Sequence, residues 1–221
     1  MSDISEQPNV QAEIGPERIP HLGKRLRERR KARGLTLQAV ADAAGLTAGF
    51  ISQVERNIAA PSLASLTAIA RMLGTDPGEL FAQPPSPGTM TRHGARPVYG
   101  IDPGHMTYER ISSAFPGNQI RAVLIHDAPG HQTEAISHEG EELYFILSGA
   151  LTLELEGQVH LLEAGDSIHF ASSRVHSTWN HTKATTTILH VGTMDVFGDR
   201  VPAETSPWHH AGHGNRKEDT E

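Results

Sequence analysis

A proline-rich break, Gln83-Pro-Pro-Ser-Pro-Gly88, divides this chain into two stretches whose apolar residues recur with different periods. Three prolines and a glycine in so short a run deny both a helix and a central strand, so the segment reads as a linker. Before it, over residues 21–82, helical patterns alternate with short turns. After it, from about residue 90, the period falls to two. Leu151, Leu153 and Leu155 alternate with Thr152, Glu154 and Glu156, the pattern of a strand with one buried face. Short β-branched runs at Ile120–His126, Glu142–Leu147, Ser167–Phe170 and Thr185–Val191, separated by Gly, Pro and Asn clusters, predict an all-β barrel or sandwich. The expected order is a flexible acidic arm (1–20), an all-α domain (21–82), the linker (83–89), an all-β domain (90–198) and a polar, His-containing tail (199–221).

Charge follows the same division. The net charge of −7 looks wrong for a nucleic-acid binder until it is split. Residues 21–82 carry nine Lys/Arg against five Asp/Glu, or +4, which leaves −11 for the remainder. Such asymmetry predicts a basic module that meets phosphate and an acidic module with another task. The basic residues are dense: Lys24, Arg25, Arg27, Arg29, Arg30, Lys31 and Arg33 fall within one short stretch. No run approaches the ~18 apolar residues of a membrane span. The N-terminus lacks a basic region followed by an apolar one, which predicts no secretory signal. With zero Cys, disulfides, zinc-thiolate fingers and thiol sensors are excluded. A soluble cytoplasmic protein without a membrane association is expected.

Within the first module, Leu22 and Leu26 fit a helix ended by Gly34. Thr36 is placed to cap a helix from Leu37 to Ala44 that buries Val40, Ala41 and Ala44. Gly45 supplies a left-handed turn and Leu46 plugs the angle between helices. Thr47 then caps a helix from Ala48 to Arg56, with Phe50, Ile51 and Val54 inward and Ala48, Gly49, Ser52 and Gln53 outward. This is a helix-turn-helix unit. The run Leu35-Thr-Leu-Gln-Ala-Val-Ala-Asp-Ala-Ala-Gly-Leu-Thr-Ala-Gly-Phe-Ile-Ser-Gln-Val-Glu-Arg56, with Pro61-Ser-Leu-Ala-Ser-Leu66 and Leu73-Gly-Thr-Asp76, resembles the phage-repressor-type (Xre) helix-turn-helix family. The resemblance implies about five helices, the second of the unit lying in the major groove. It places Ala48, Gly49 and Gln53 at base edges, Thr47, Ser52 and Asn57 near phosphate, and Gln38 beside the DNA backbone. Gln53 can contact adenine bidentately, worth about 1–3 kcal/mol of discrimination. The small residues beside it leave specificity to be shared with DNA shape.

The second module carries two spaced motifs. Gly130, Ile136, His138, Glu142 and Gly149 form the first, and Gly165, Ala171, Ser173, His176 and Asn180 the second. They resemble the paired signature of the cupin barrels, G-x5-H-x-H-x3-E-x6-G and G-x5-P-x-G-x2-H-x3-N. The resemblance implies a small antiparallel jelly-roll barrel with the motif side chains in its mouth. Alternate strand positions share a face, so His138 and Glu142 can both enter the lumen while His176 comes from the facing strand. Two imidazoles and a carboxylate suit Zn, Fe, Mn or Ni. Ile136 stands where the family has its first histidine, so one usual ligand is absent. His126, His131 and His190 are all candidates to replace it, and strand parity does not choose among them. A metal and a small-molecule effector are both open occupants.

Joined on one chain, the two modules resemble the Xre–cupin regulators. That resemblance implies a DNA-binding transcriptional regulator, expected to be a repressor of a catabolic operon, and not an enzyme. A homodimer joined through the barrels would place two reading heads on double-stranded DNA at a palindromic operator. The short linker would transmit barrel rearrangement as head spacing. The competing class is a metal-dependent cupin enzyme that happens to carry a helix-turn-helix module.

Overall fold

The computed structural model describes residues 22–75, 79–80, 89–96, 98–100 and 106–197. The expected arm, linker and tail therefore lie outside the described residues, apart from a few at their margins. Four helices come first: α1 (Leu22–Ala32), α2 (Leu37–Ala44), α3 (Ala48–Glu55) and α4 (Leu63–Met72), with Glu79 and Leu80 also helical. Four complete helices among the described residues fall just below the five expected.

Capping explains the boundaries of the helix-turn-helix unit. The Thr36 hydroxyl accepts from the Ala39 amide at 3.0 Å, and the Thr47 hydroxyl accepts from Phe50 at 3.1 Å. Between them Gly45 takes the left-handed conformation, φ 68°, and returns its amide to the Ala41 carbonyl. Helix α1 then packs across the end of α3. Gly23 is required there, since a Cβ would meet the Val54 carbonyl at 2.3 Å. The Gly23 amide instead donates to Asn57 Oδ1 at 3.0 Å.

Part of the basic cluster serves this packing rather than phosphate. Arg30 forms a two-pronged ion pair with the buried Glu55 and also donates to the Leu35 carbonyl at 2.9 Å. Arg29 pairs with Glu79 at 3.0 Å, and Arg25 donates to the Leu80 carbonyl. Glu55 is thus held by Arg30, and its neighbour Arg56 donates to the Ser52 carbonyl.

The second module is wholly antiparallel. Its strands are β1 (Val98–Gly100), β2 (Met106–Arg110), β3 (Arg121–Asp127), β4 (Glu141–Ser148), β5 (Ala150–Leu155), β6 (Gln158–Glu163), β7 (Ser167–Ala171), β8 (His176–Trp179) and β9 (Thr186–Gly192). Six form a sheet in the order β1-β2-β3-β9-β4-β7, and three form a second in the order β6-β5-β8. Leu151, Leu153 and Leu155 of β5 point inward and are almost fully buried, while Thr152 and Glu154 face out. On β9 the same alternation buries Thr186, Ile188, His190 and Gly192.

Buried apolar residues of the two modules form one contiguous cluster, because the start of α4 rests on the barrel mouth. Ser62 is the N-cap of α4, its hydroxyl accepting from Ser65 at 3.1 Å. The same residue donates from its amide (3.1 Å) and its hydroxyl (3.2 Å) to Glu134 Oε1 of the barrel. Tyr108 Oη donates to the Pro61 carbonyl at 3.4 Å, and the His131 ring faces the Ala60 carbonyl. Three consecutive residues, 60–62, are thereby seated on the barrel through main-chain groups and a cap.

Removing one partner of a buried ion pair leaves the other charge uncompensated, at a cost of about 3–5 kcal/mol. Glu55→Ala should therefore destabilise the helical module by an amount in that range, measured by chemical denaturation followed through helical circular dichroism.

Candidate functional site

The outer face of α3 is small and polar. Thr47, Gly49 and Gln53 are exposed, whereas Ala48, Ser52 and Asn57 are half-buried. Not every residue expected near DNA has its polar atoms unspent. The Thr47 hydroxyl caps α3, Asn57 Oδ1 accepts from Gly23, and Gln38 Nε2 donates to Asp42 at 2.6 Å. Gln53 stands outward from the middle of α3, at the position the resemblance assigned to base contact.

The barrel mouth holds a tighter constellation. Glu142 lies near the start of β4, and its carboxylate is 5% exposed. His138, in the turn before β4, brings Nε2 to 3.3 Å from Glu142 Oε1. His176, the first residue of β8, brings Nε2 to 3.2 Å from Oε2. The sequence-derived trio thus converges, with donor atoms within 4.8 Å of one another. A third imidazole joins them: His190 of β9 places Nε2 at 3.2 Å from Glu142 Oε1.

Two observations fit this set to a cation. The Nδ1 atoms of His138 and His176 face the carbonyls of Glu139 (3.0 Å) and Arg174 (2.8 Å). A carbonyl only accepts, so Nδ1 carries the hydrogen and Nε2 faces the site, donating to Glu142 when the ring is protonated and offering its lone pair to a cation when it is neutral. Moreover, Glu142 Oε2 and His138 Nε2 are buried without an aligned hydrogen-bond partner. Neutral imidazole and carboxylate donors at this spacing suit a borderline divalent metal such as Zn, Fe, Mn or Ni.

Electrostatics agree with the contacts. Burial alone would raise the Glu142 carboxyl, but the three imidazole nitrogens gathered on it outweigh burial and hold its pKa well below the carboxylate range. Burial lowers His138, and the facing Glu142 more than reverses that, so its pKa is raised.

Above Glu142 lies a cavity of about 50 Å³. Its wall includes Ile136, Tyr144, His176 and His190 of the barrel, and Ser62, Leu63 and Ala64 of the helical module.

Comparisons with known proteins bear on both modules. Residues 26–80 match the helix-turn-helix family and residues 123–192 the cupin domain family. The HTH-type transcriptional regulator PuuR of Escherichia coli K12 is 27% identical over 177 residues, covering 79% of this chain and 96% of the relative. The HTH-type transcriptional regulator SutR of the same strain is 30% identical over 160 residues, covering 70% of this chain and 84% of the relative. The chain belongs to the HTH-type transcriptional regulators. An HTH_3 family transcriptional regulator from Vibrio cholerae shares the fold, with a TM-score of 0.50 and 21% identity over 79% of this chain and 95% of that one.

For this regulator, sequence reasoning missed the seating of residues 60–62 on the barrel and left His190 among three candidates. The structure separates those three. His126 Nε2 meets Glu109 at 3.0 Å, and His131 Nδ1 meets Asp127 at 2.7 Å. His190 alone of the three touches Glu142.

A raised histidine pKa means that the pairing stabilises the folded, metal-free regulator below about pH 6.5, and that this contribution fades as pH rises through the raised value. In Glu142→Gln the largest influence raising His138 is lost and only the Glu139 carbonyl still opposes burial, so its pKa, followed by NMR titration of the metal-free protein, should fall.

Proposed function

We propose that this regulator is a dimeric repressor whose grip on its operator is set by what occupies the barrel cavity. The observation that carries this reading is that Ser62, Leu63 and Ala64, from a helix of the DNA-reading module, line the cupin cavity itself. A guest in the barrel touches the reading head without any intermediary.

Size makes the contact consequential. Pockets for small molecules run to about 300–1,000 Å³, whereas this cavity is about 50 Å³, room for a few waters or an ion with its water. A metabolite of that size needs more room than the cavity gives while Ser62, Leu63 and Ala64 line it. Entry displaces that roof, and a guest that binds the unroofed state shifts the population toward it. Glu134 Oε2 and Asp127 Oδ2 are buried on the cavity wall without hydrogen-bond partners among the described residues. A guest rich in N–H or O–H donors would compete with Ser62 for Glu134.

The DNA contacts proceed from α3, with Gln53 at a base edge, Ala48 and Gly49 allowing close approach, and Thr47, Ser52, Asn57 and Gln38 facing phosphate. One such helix buries too little surface for tight binding, so two heads on a palindrome are needed. The outer face of the β6-β5-β8 sheet offers the dimer contact: Leu161 and Trp179 flank Thr152 in register, and Val159 lies beside them, all substantially exposed. His138, Glu142 and His176 would hold a divalent metal, which would supply a Lewis-acidic anchor for an oxygen or nitrogen of the guest. The competing reading as a cupin enzyme gives no reason for a cavity lined by a helix of the DNA-reading module. The regulator acts in the cytoplasm, where its operator is.

Fluorescence anisotropy against duplexes from the gene's own upstream region, at one stated salt concentration, tests the reading. The wild type should select one duplex over scrambled DNA, and Gln53→Ala should lose about 1–3 kcal/mol of that discrimination. Indifference of the wild type to every duplex would end the proposal. The roof is tested separately by hydrogen exchange. Glu134→Ala removes the acceptor of the Ser62 amide, so exchange at Ser62 should quicken while that at Ile51 in α3 stays unchanged.

A further inference from the structure

Three imidazoles surround Glu142, yet the spaced motifs account for only two of them. We propose that His190 is a ligand of the divalent-metal site, taking over the donor role that Ile136 leaves apolar. The inference rests on the reading of His138, Glu142 and His176 as that site, and it names the residue that completes it.

Sheet register places His190 there. On the paired strands β4 and β9, Tyr144 lies opposite His190 and Glu142 opposite Gly192. Glu142 and His190 are therefore diagonal neighbours on the inward face, close enough for long side chains to meet. Gly192 has no side chain to stand between them. An added Cβ would sit 3.4 Å from His190 Cε1 and 3.6 Å from Glu142 Cγ. The His190 ring is buried, edge-on to Tyr144 with centroids 4.8 Å apart, which limits its rotation.

Ile136 explains the vacancy that His190 fills. Its backbone exchanges two hydrogen bonds with His176, each 3.0 Å, so the position keeps its place beside the site. Its side chain has no lone pair to give. The other two histidines raised by the sequence are held by Glu109 and Asp127. His190 reaches the cluster through Glu142 Oε1, the oxygen that His138 also faces, while His176 meets Oε2. Three imidazoles and one carboxylate select a first-row transition metal over the hard cations Mg and Ca, which take oxygen ligands.

The test is Co(II) titration of the metal-free, full-length protein, with affinity from chelator competition and the ligand field from visible absorption. Wild type should bind one Co(II) with an intense visible spectrum. His190→Ala should weaken binding at least about tenfold and alter the spectrum, and free imidazole or a second change, Ile136→His, should restore both. His126→Ala should bind Co(II) like wild type. Should His190→Ala fail to fold, His190→Gln is read the same way. Wild-type affinity and spectrum in the His190 variant would overturn the assignment while leaving the three-ligand site standing. Failure of the wild type to take up Co(II) at all would overturn the metal reading and this inference with it.

Discussion

A carboxylate buried inside an apolar barrel is costly unless opposite charge or hydrogen bonds meet it. Glu142 is such a group, and the second module is arranged around its compensation. The turn before β4 supplies His138, β8 supplies His176 and β9 supplies His190, so three separate segments must be in register before the charge is met. This ties correct strand pairing to the formation of the site. It also explains why the residues beside it are aromatic or small: Phe170 packs on the His176 ring at 5.1 Å, and Tyr144 on His190. These rings exclude water and keep the imidazoles aimed at one point.

The same site is closed from above by the other module, and there main-chain groups make most of the contacts. Ala60 and Pro61 give carbonyls, and Ser62 gives its amide and hydroxyl. A seat built on the N-cap of α4 has a mechanical consequence. Displacing it alters the start of a helix that packs directly on α2 of the reading unit. Burial raises Asp127, and His131, lowered by burial, is more than recovered by Asp127 and the Ala60 carbonyl. Coupling between guest and DNA then needs only that seated and unseated states differ in affinity for each.

Much of this was legible in the sequence where local chemistry decides structure. Thr36, Gly45 and Thr47 marked the limits of α2 and the start of α3, because caps and left-handed glycines are local requirements. The alternation of Leu151, Leu153 and Leu155 marked β5 for the same reason. β2 was not legible. All five of its residues are buried, including Glu109 and Arg110, so neither face shows the alternation that betrays a strand. Glu109 is tolerated there because Arg96 and His126 meet it, partners distant enough in sequence that no window would join them. The roof was hidden likewise: Glu134 and Ser62 lie 72 residues apart, and nothing in either neighbourhood announces the other. Spacing found His138, Glu142 and His176 because the motifs preserve them. It could not select His190, whose role depends on the register of β9 against β4.

The basic cluster shows where a charge count misleads. Arg25, Arg29 and Arg30 brace α1 against Leu80, Glu79 and Glu55, and within the cluster it is Arg27, Lys31 and Arg33 that are exposed without an ion-pair partner among the described residues. Each phosphate neutralised adds a salt-dependent increment of affinity, so a head with few unspent cations gains little from electrostatics. The acidic remainder of the chain, at −11, further weakens non-specific attraction to DNA. Under the proposed reading, weak non-specific binding would sharpen a regulator that must leave when its guest arrives. It would also place the burden of affinity on pairing two heads in fixed geometry, and that geometry is what a contact shared by head and barrel can change.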